Sequence, residues 1–437
     1  MPFNLNSNML IAMHKTRHIE FSSSSDLYLQ LIQLIMSFLC SMLCSGTEFK
    51  LIQSVIEEIA RATSKHVPLF VAKHPVGIAI RVEAITLLLD IGSNDVCVVG
   101  ICGFGGIGKT SISKAIYNRI AYHFEGSCFL ENVSERSKKS DDIIQLQEKL
   151  LSKILRDRDL KVHNVSQGIN LIKKRLCSKR VLLILDDVKD SKEVENLLGD
   201  CKWFASGSRV IITTRDKHVL TTLGRDPRIY VVTKLNQSEA RELFNLHAFQ
   251  SPNYEEDYSE LAEQIIHYAD GLPLALQIIG SDLCGENINY WESALEKYKN
   301  IPHEGIQERL KISYDGLEDF EKEIFLDIAC FFKGYNVGDV VNILNSCNLY
   351  PVYGIEKLIN KCLITLEYEH LLMHELLQQM GRQIVEQEST ELEQRSRIWR
   401  YEDAHKLLTG KMVYILYFSF FSKYFFIGFS LYNIEKK

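Results

Sequence analysis

Residues Val96–Thr110 read VCVVGICGFGGIGKT, an apolar run that breaks into glycines and ends on Lys109-Thr110. The run predicts a strand and the residues that follow predict a helix, so the glycines occupy a strand-to-helix turn. Within it, Gly103-x4-Gly108-Lys109-Thr110 has the spacing of a phosphate-binding loop. Gly103, Gly105, Gly106 and Gly108 let successive backbone N–H groups converge on phosphate oxygens without a Cβ in the way. Ile107 and Ser111 complete that backbone cradle, and the helix start adds its positive dipole end. Lys109 has the reach for the β- and γ-phosphates, and the Thr110 hydroxyl is a ligand for Mg2+. The same glycines also spell G-x-G-x-x-G. A dinucleotide turn, however, has no use for Lys109-Thr110, and Glu131 is an imperfect candidate for its ribose-binding acid.

Outward from this turn, short apolar runs alternate with helical stretches. Val96–Ile101, Ser127–Val133, Val181–Asp187, Ser208–Arg215 and Ile229–Leu235 are the predicted strands. Their near-continuous apolar character is that of strands covered on both faces. Lys109–Ala121 and Ile143–Leu155 are predicted helices between them, which makes an α/β domain with a parallel sheet flanked by helices. Beyond Leu235 the pattern turns helical, over Ser238–Ala248, Asp257–Ala269 and Trp291–Lys299. Ile324–Phe332 (IFLDIACFF) is apolar all round and predicts one buried helix. A short β-like pair near Cys362–Met373 precedes the helical stretch Glu375–Val385, as in a winged-helix module.

Val181–Val188 (VLLILDDV) carries two carboxylates to the end of a strand, where open parallel sheets keep their active sites. Asp186 is the candidate Mg2+ ligand and Asp187 the candidate for polarising an attacking water. Ile211–Asp216 (IITTRD) brings Arg215 to the same sheet edge, suited to sense a γ-phosphate or to stabilise charge during transfer.

Length and charge narrow the field. At 437 residues the chain has room for two or three domains, and a net charge of −6 disfavours a nucleic-acid partner. The 11 cysteines form no C-x-x-C pair, and Cys97, Cys102 and Cys330 lie in apolar runs. That usage predicts reduced thiols and a cytoplasmic location. Leu27–Cys44 has no charge but is interrupted by Gln30 and Gln33, and the apolar Val413–Tyr432 has Lys423 near its centre. Membrane association through either end is an open expectation.

Taken in order, these motifs resemble the NB-ARC module of plant nucleotide-binding leucine-rich-repeat receptors, in the class with a Toll/interleukin-receptor-like domain. Phe124–Val133 (FEGSCFLENV), Gly207–Asp216 (GSRVIITTRD), Gly271–Ala275 (GLPLA), Lys311–Leu317 (KISYDGL), Phe325–Gly334 (FLDIACFFKG) and Met373-His374-Glu375 carry the likeness. It covers roughly Phe49 to Leu408. The resemblance implies a P-loop nucleotide-binding domain over 73–236, a helical domain over 237–305 and a winged-helix domain over 306–408. A helical linker over 49–72 precedes them; residues 1–48 and the hydrophobic tail 409–437 match no domain. The implied function is an ADP/ATP-binding, Mg2+-dependent switch in defence signalling, at most a slow ATPase, that oligomerises with itself or related receptors. Pro273 would pack near the adenine, Val76 and Gly77 would border the base, and His374 would contact the β-phosphate of ADP. Two positions depart from the pattern: Glu375 stands where the family has Asp, and Ala79 where it usually has an acid. The competing readings are a conventional P-loop ATPase and a non-signalling fragment acting as decoy or partner.

Overall fold

The computed structural model describes residues 68–409, apart from 156, 158–159, 224–226, 250–254, 302 and 348. The chain divides between Pro68 and Leu69 into two units, and the described strands and helices belong to the second. The apolar stretches Leu27–Cys44 and Val413–Tyr432 lie outside the described residues. Among the described residues, no helix is long and apolar enough to cross a membrane.

The apolar runs of the first half become five strands, each starting within one residue of its predicted start. They are β1 (Cys97–Cys102), β2 (Gly126–Leu130), β3 (Val181–Val188), β4 (Arg209–Thr214) and β5 (Arg228–Val231). All pair in parallel, in the order β2-β3-β4-β1-β5. Period-two alternation sorts their side chains to two faces. Val99, Ile101, Leu182, Ile184 and Ile211 meet helices α1 (Ile78–Leu89) and α2 (Lys109–Ile120). Val98, Leu183, Leu185, Val210 and Ile212 meet α3 (Ser140–Leu155), α4 (Val165–Leu176), α5 (Ser191–Leu198) and α6 (Lys217–Thr221). The helix after β1 and the helix after β4 thus cover opposite faces, which opens a crevice at the carboxyl ends of these neighbouring strands.

At the other end of the sheet, fully buried Arg209 donates to the carbonyls of Leu89, Asp90, Ser93, Asp95 and Ser208. A buried guanidinium is tolerable only when its donors are matched this completely. It ties β4 to the end of α1.

Four helices follow: α7 (Gln237–Ala248), α8 (Glu255–Ala269), α9 (Pro273–Leu283) and α10 (Ile288–Asn300). Asn236 and Glu239 form a capping box on α7, and buried Trp291 of α10 donates to the Leu283 carbonyl at 2.9 Å. Helix α11 (Glu304–Asp315) leads to α12 (Asp319–Asp327), α13 (Val337–Asn345), α14 (Pro351–Asn360) and the antiparallel ribbon β6 (Thr365–Glu367) and β7 (His370–Leu372). Then come α15 (Glu375–Glu388) and α16 (Tyr401–Thr409). Helices with a two-stranded wing are the winged-helix arrangement that the sequence predicts.

The single helix expected over Ile324–Phe332 changes winding instead. From Ile328 it widens to a π turn, with Lys333 N–H bonded to the Ile328 carbonyl at 3.0 Å. The wider turn leaves the Ala329 carbonyl to accept from Gln378 Nε2 at 3.0 Å and Arg382 Nε at 3.2 Å, which ties it to α15. Buried Arg397 clamps the same element through Asp327 at 2.6 Å and Glu323 at 2.9 Å.

Candidate functional site

β1 is buried along its whole length and delivers the glycine loop to the crevice. Gly106 and Gly108 take φ of +82° and +100°, the left-handed region that L side chains avoid. A Cβ on Gly106 would lie 2.8 Å from the Leu274 side chain, and one on Gly105 would lie 2.7 Å from the Arg309 carbonyl. The loop is therefore approached by α9 on one side and by α11 on the other. Buried Ile107 anchors it, and Gly108 caps α2, whose first turn holds Lys109, Thr110 and Ser111.

Lys109 Nζ donates to the carbonyls of Gly103 at 2.7 Å and Phe104 at 3.1 Å. Burial, reinforced by the nearby Arg215 charge, pushes its ammonium down to about 8. Asp186 at the end of β3 is fully buried. Its carboxylate accepts from Thr110 Oγ1 at 3.0 and 3.1 Å and from Thr213 Oγ1 at 2.7 Å. Burial raises its pKa, and the two hydroxyls oppose that rise. Two oxygen groups, one from the loop helix and one from the strand, are the donor type that a hard cation such as Mg2+ takes.

Asp187 has φ +58° and its carboxylate lies 3.5 Å from Arg215 Nε. The carboxylate expected to polarise water therefore has a guanidinium as neighbour. Arg215 in turn donates through Nη1 to the Arg309 carbonyl at 3.0 Å and lies 3.5 Å from Ser313 Oγ, both on α11. Thr213 is a site residue that sequence reasoning missed. Its one signal is that Thr213 and Thr214 break the apolar run Val210–Ile212 at the end of the strand.

Pro273 opens α9 at its first position, and the Leu274 N–H reaches the Gly106 carbonyl at 3.3 Å. The segment after β5 gathers the remaining residues. Val232 N–H bonds the Cys102 carbonyl at 2.8 Å, and Leu235 N–H bonds the Gly271 carbonyl at 2.9 Å. Gly77, at φ +69°, starts α1 beside half-buried Val76. From α1, Arg81 donates to the Gly77 carbonyl at 2.6 Å, to the Lys234 carbonyl at 3.1 Å, and in a fork to Glu239 at 3.0 and 3.1 Å.

His374, the N-cap of α15, closes the group. Its ring lies 5.1 Å from that of Phe104 in the loop. Nδ1 accepts from Leu376 N–H at 3.2 Å, so the ring proton sits on Nε2 and is donated to the Asp270 carbonyl at 3.1 Å. Burial lowers its pKa, and Asp270, which also pairs with Lys234, works against that fall. Glu375 pairs with Lys333 of the FFKG segment. Glu131 pairs with Lys114 at 2.9 Å, which gives it a structural partner in place of the ribose that a dinucleotide reading needs.

Residues 80–254 match the NB-ARC domain, and residues 318–389 match the winged-helix domain of Roq1-like disease resistance proteins. The chain is 39% identical over 373 residues to TMV resistance protein N of Nicotiana glutinosa, covering 83% of this chain and 32% of that protein. It is 44% identical over 337 residues to disease resistance protein RPV1 of Vitis rotundifolia, covering 77% and 24%. Disease resistance-like protein DSC1 of Arabidopsis thaliana is 39% identical over 349 residues, covering 76% and 28%. The chain spans about a quarter to a third of the length of these relatives.

Proposed function

The chain carries the NB-ARC and winged-helix domains of the plant disease resistance proteins, and on that premise we propose that it is an ADP/ATP-dependent switch of defence signalling. An NB-ARC domain implies nucleotide binding; the finer assignments here are which nucleotide, which cation and which residues. The observation that carries the reading is that the phosphate loop is touched from downstream at two points. α11 meets it at Gly105 through the Arg309 carbonyl, and His374 meets it at Phe104. A domain resting on the loop is biased by whatever occupies the loop, provided the contacts differ between ligands.

In this reading the backbone of Gly103–Ser111 cradles the phosphates and Lys109 neutralises them. Thr110 and Asp186 would hold Mg2+, which would supply charge compensation for the phosphates. Val76, Gly77 and Pro273 border the base. His374 reads the diphosphate and keeps the winged-helix domain closed. Arg215 reads a third phosphate, at the expense of its contacts with α11. Asp187 is paired with the Arg215 guanidinium at 3.5 Å, and at most slow turnover belongs to the same proposal. The winged-helix domain gives no support to a nucleic-acid role, since Arg382 of α15 is turned inward to Ala329. A cytoplasmic location belongs to the same proposal; Cys97, Cys102 and Cys330 are thiols buried in apolar surroundings. Oligomerisation with further copies or related receptors belongs to the same proposal.

The test is the nucleotide released from denatured, purified protein, read against a Lys109→Ala variant. Retained ADP that disappears in the variant is the expected result. A folded preparation that carries no adenine nucleotide, and takes up none when supplied, would overturn the reading. Sustained turnover above about 1 s⁻¹ would favour an ordinary ATPase instead.

A further inference from the structure

Asp186 and Asp187 are consecutive, yet they meet different partners. The pairing of β3 with β4 is regular from Leu182 opposite Arg209 to Leu185 opposite Ile212, then shifts so that Val188 faces Thr214. Thr213 lies in that irregularity, fully buried. Its hydroxyl donates to Asp186 Oδ1 at 2.7 Å and accepts the Asp187 N–H at 2.9 Å. A threonine hydroxyl has one proton to give, and that proton goes to Asp186. Its lone pair goes to the Asp187 N–H, whose residue takes φ +58° in the left-handed region. Turned in this way, Asp187 faces Arg215 at 3.5 Å, while Asp186 faces Thr110.

We infer that Thr213 is a positioning residue that assigns the two aspartates to different tasks, Asp186 to the cation and Asp187 to Arg215. The inference rests on the reading of the site as one for Mg2+ and nucleotide. A single hydroxyl does both jobs, so its removal disturbs both at once. Valine in its place fills the same space but leaves the Asp187 N–H without its acceptor and Asp186 without one of its two hydroxyl donors. Asp186 then loses its fixed aim at Thr110. Serine keeps the hydroxyl and loses only a methyl group.

The experiment measures the affinity for a non-hydrolysable ATP analogue, in Mg2+ and in EDTA, for the unaltered protein, Thr213→Val and Thr213→Ser. The unaltered protein gains affinity on adding Mg2+. Thr213→Val loses about tenfold of that gain, the scale of one hydrogen bond to a charged group. Thr213→Ser keeps the gain. Should the valine variant not fold, Thr213→Ala carries the same contrast with serine. A valine or alanine variant with the full Mg2+ gain overturns the inference, as does a serine variant that loses as much as valine. Unaltered protein that binds the analogue but gains nothing from Mg2+ also overturns it. Unaltered protein that binds no adenine nucleotide under either condition fails the functional reading itself, which is a separate result.

Discussion

Lys109 is a buried cation whose partners are the carbonyls of Gly103 and Phe104, and it titrates at about 8. Carbonyls have only partial charge, so burial outweighs them and the ammonium gives up its proton early. An anion at the loop needs that proton. Nucleotide affinity is therefore flat up to about pH 8 and falls above it by up to tenfold per unit, because binding then requires proton uptake. Equilibrium dialysis across pH 7 to 9.5 measures this, and a Lys109→Arg variant removes the fall. His374 has the opposite dependence. Its folded pKa is depressed by burial, so the neutral ring that accepts the Leu376 N–H at Nδ1 is fully present above the ordinary histidine value of 6.5, and this cap is lost as pH falls through the lowered folded value, while the Nε2–H bond to Asp270 survives protonation. Release of bound nucleotide quickens on acidification, and His374→Gln flattens that response. The glycine loop was legible in the sequence because its chemistry lies within eight consecutive residues. Thr213 was not, because its role exists only when β4 lies beside β3, 27 residues away in the chain.

At the scale of elements, the apolar runs located the strands well, since both-face burial leaves a continuous signature. Their order was not legible. That β4 lies between β3 and β1 depends on crossovers that no local pattern encodes, and this order is what brings Arg215 beside the loop. The helix expected over Ile324–Phe332 is a related case. Its composition predicts burial correctly, but the π turn is favoured by Gln378 and Arg382, donors from α15. Two substitutions probe how elements meet. Gly105→Ala puts a methyl 2.7 Å from the Arg309 carbonyl and 2.8 Å from Arg215 Nη1, at a position where φ is not strained, so it acts on the seat of α11 and on the guanidinium that bonds it. Faster nucleotide exchange with little loss of thermal stability is expected, read with a fluorescent ADP. Arg209→Lys leaves several of five carbonyls unmatched at the joint of α1 and β4. A loss of about 2–4 kcal/mol in urea unfolding is expected.

Across the molecule, one apolar cluster runs from Val82 in α1 through Leu276 in α9 to Val385 in α15. The nucleotide fold, the helices and the winged-helix region therefore share a core, and a ligand at the loop is felt by all three. ADP at about a hundred times its dissociation constant adds about 2.7 kcal/mol. A single melting transition that moves upward with ADP, and does not move for Lys109→Ala, is expected in calorimetry. Separate transitions of which only one responds would count against a shared core. The same architecture sets a timetable during synthesis. His374 emerges 104 residues after the Asp270 carbonyl it will bond, roughly 5–20 s at ribosomal rates of about 5–20 residues per second. Through that interval the glycine loop and both aspartates are already made while the histidine that meets Phe104 of the loop is not. On the proposed reading, the nascent chain passes through a stage of open access to the cell's nucleotide pool, and the order of translation chooses the first occupant of the loop before any switching takes place.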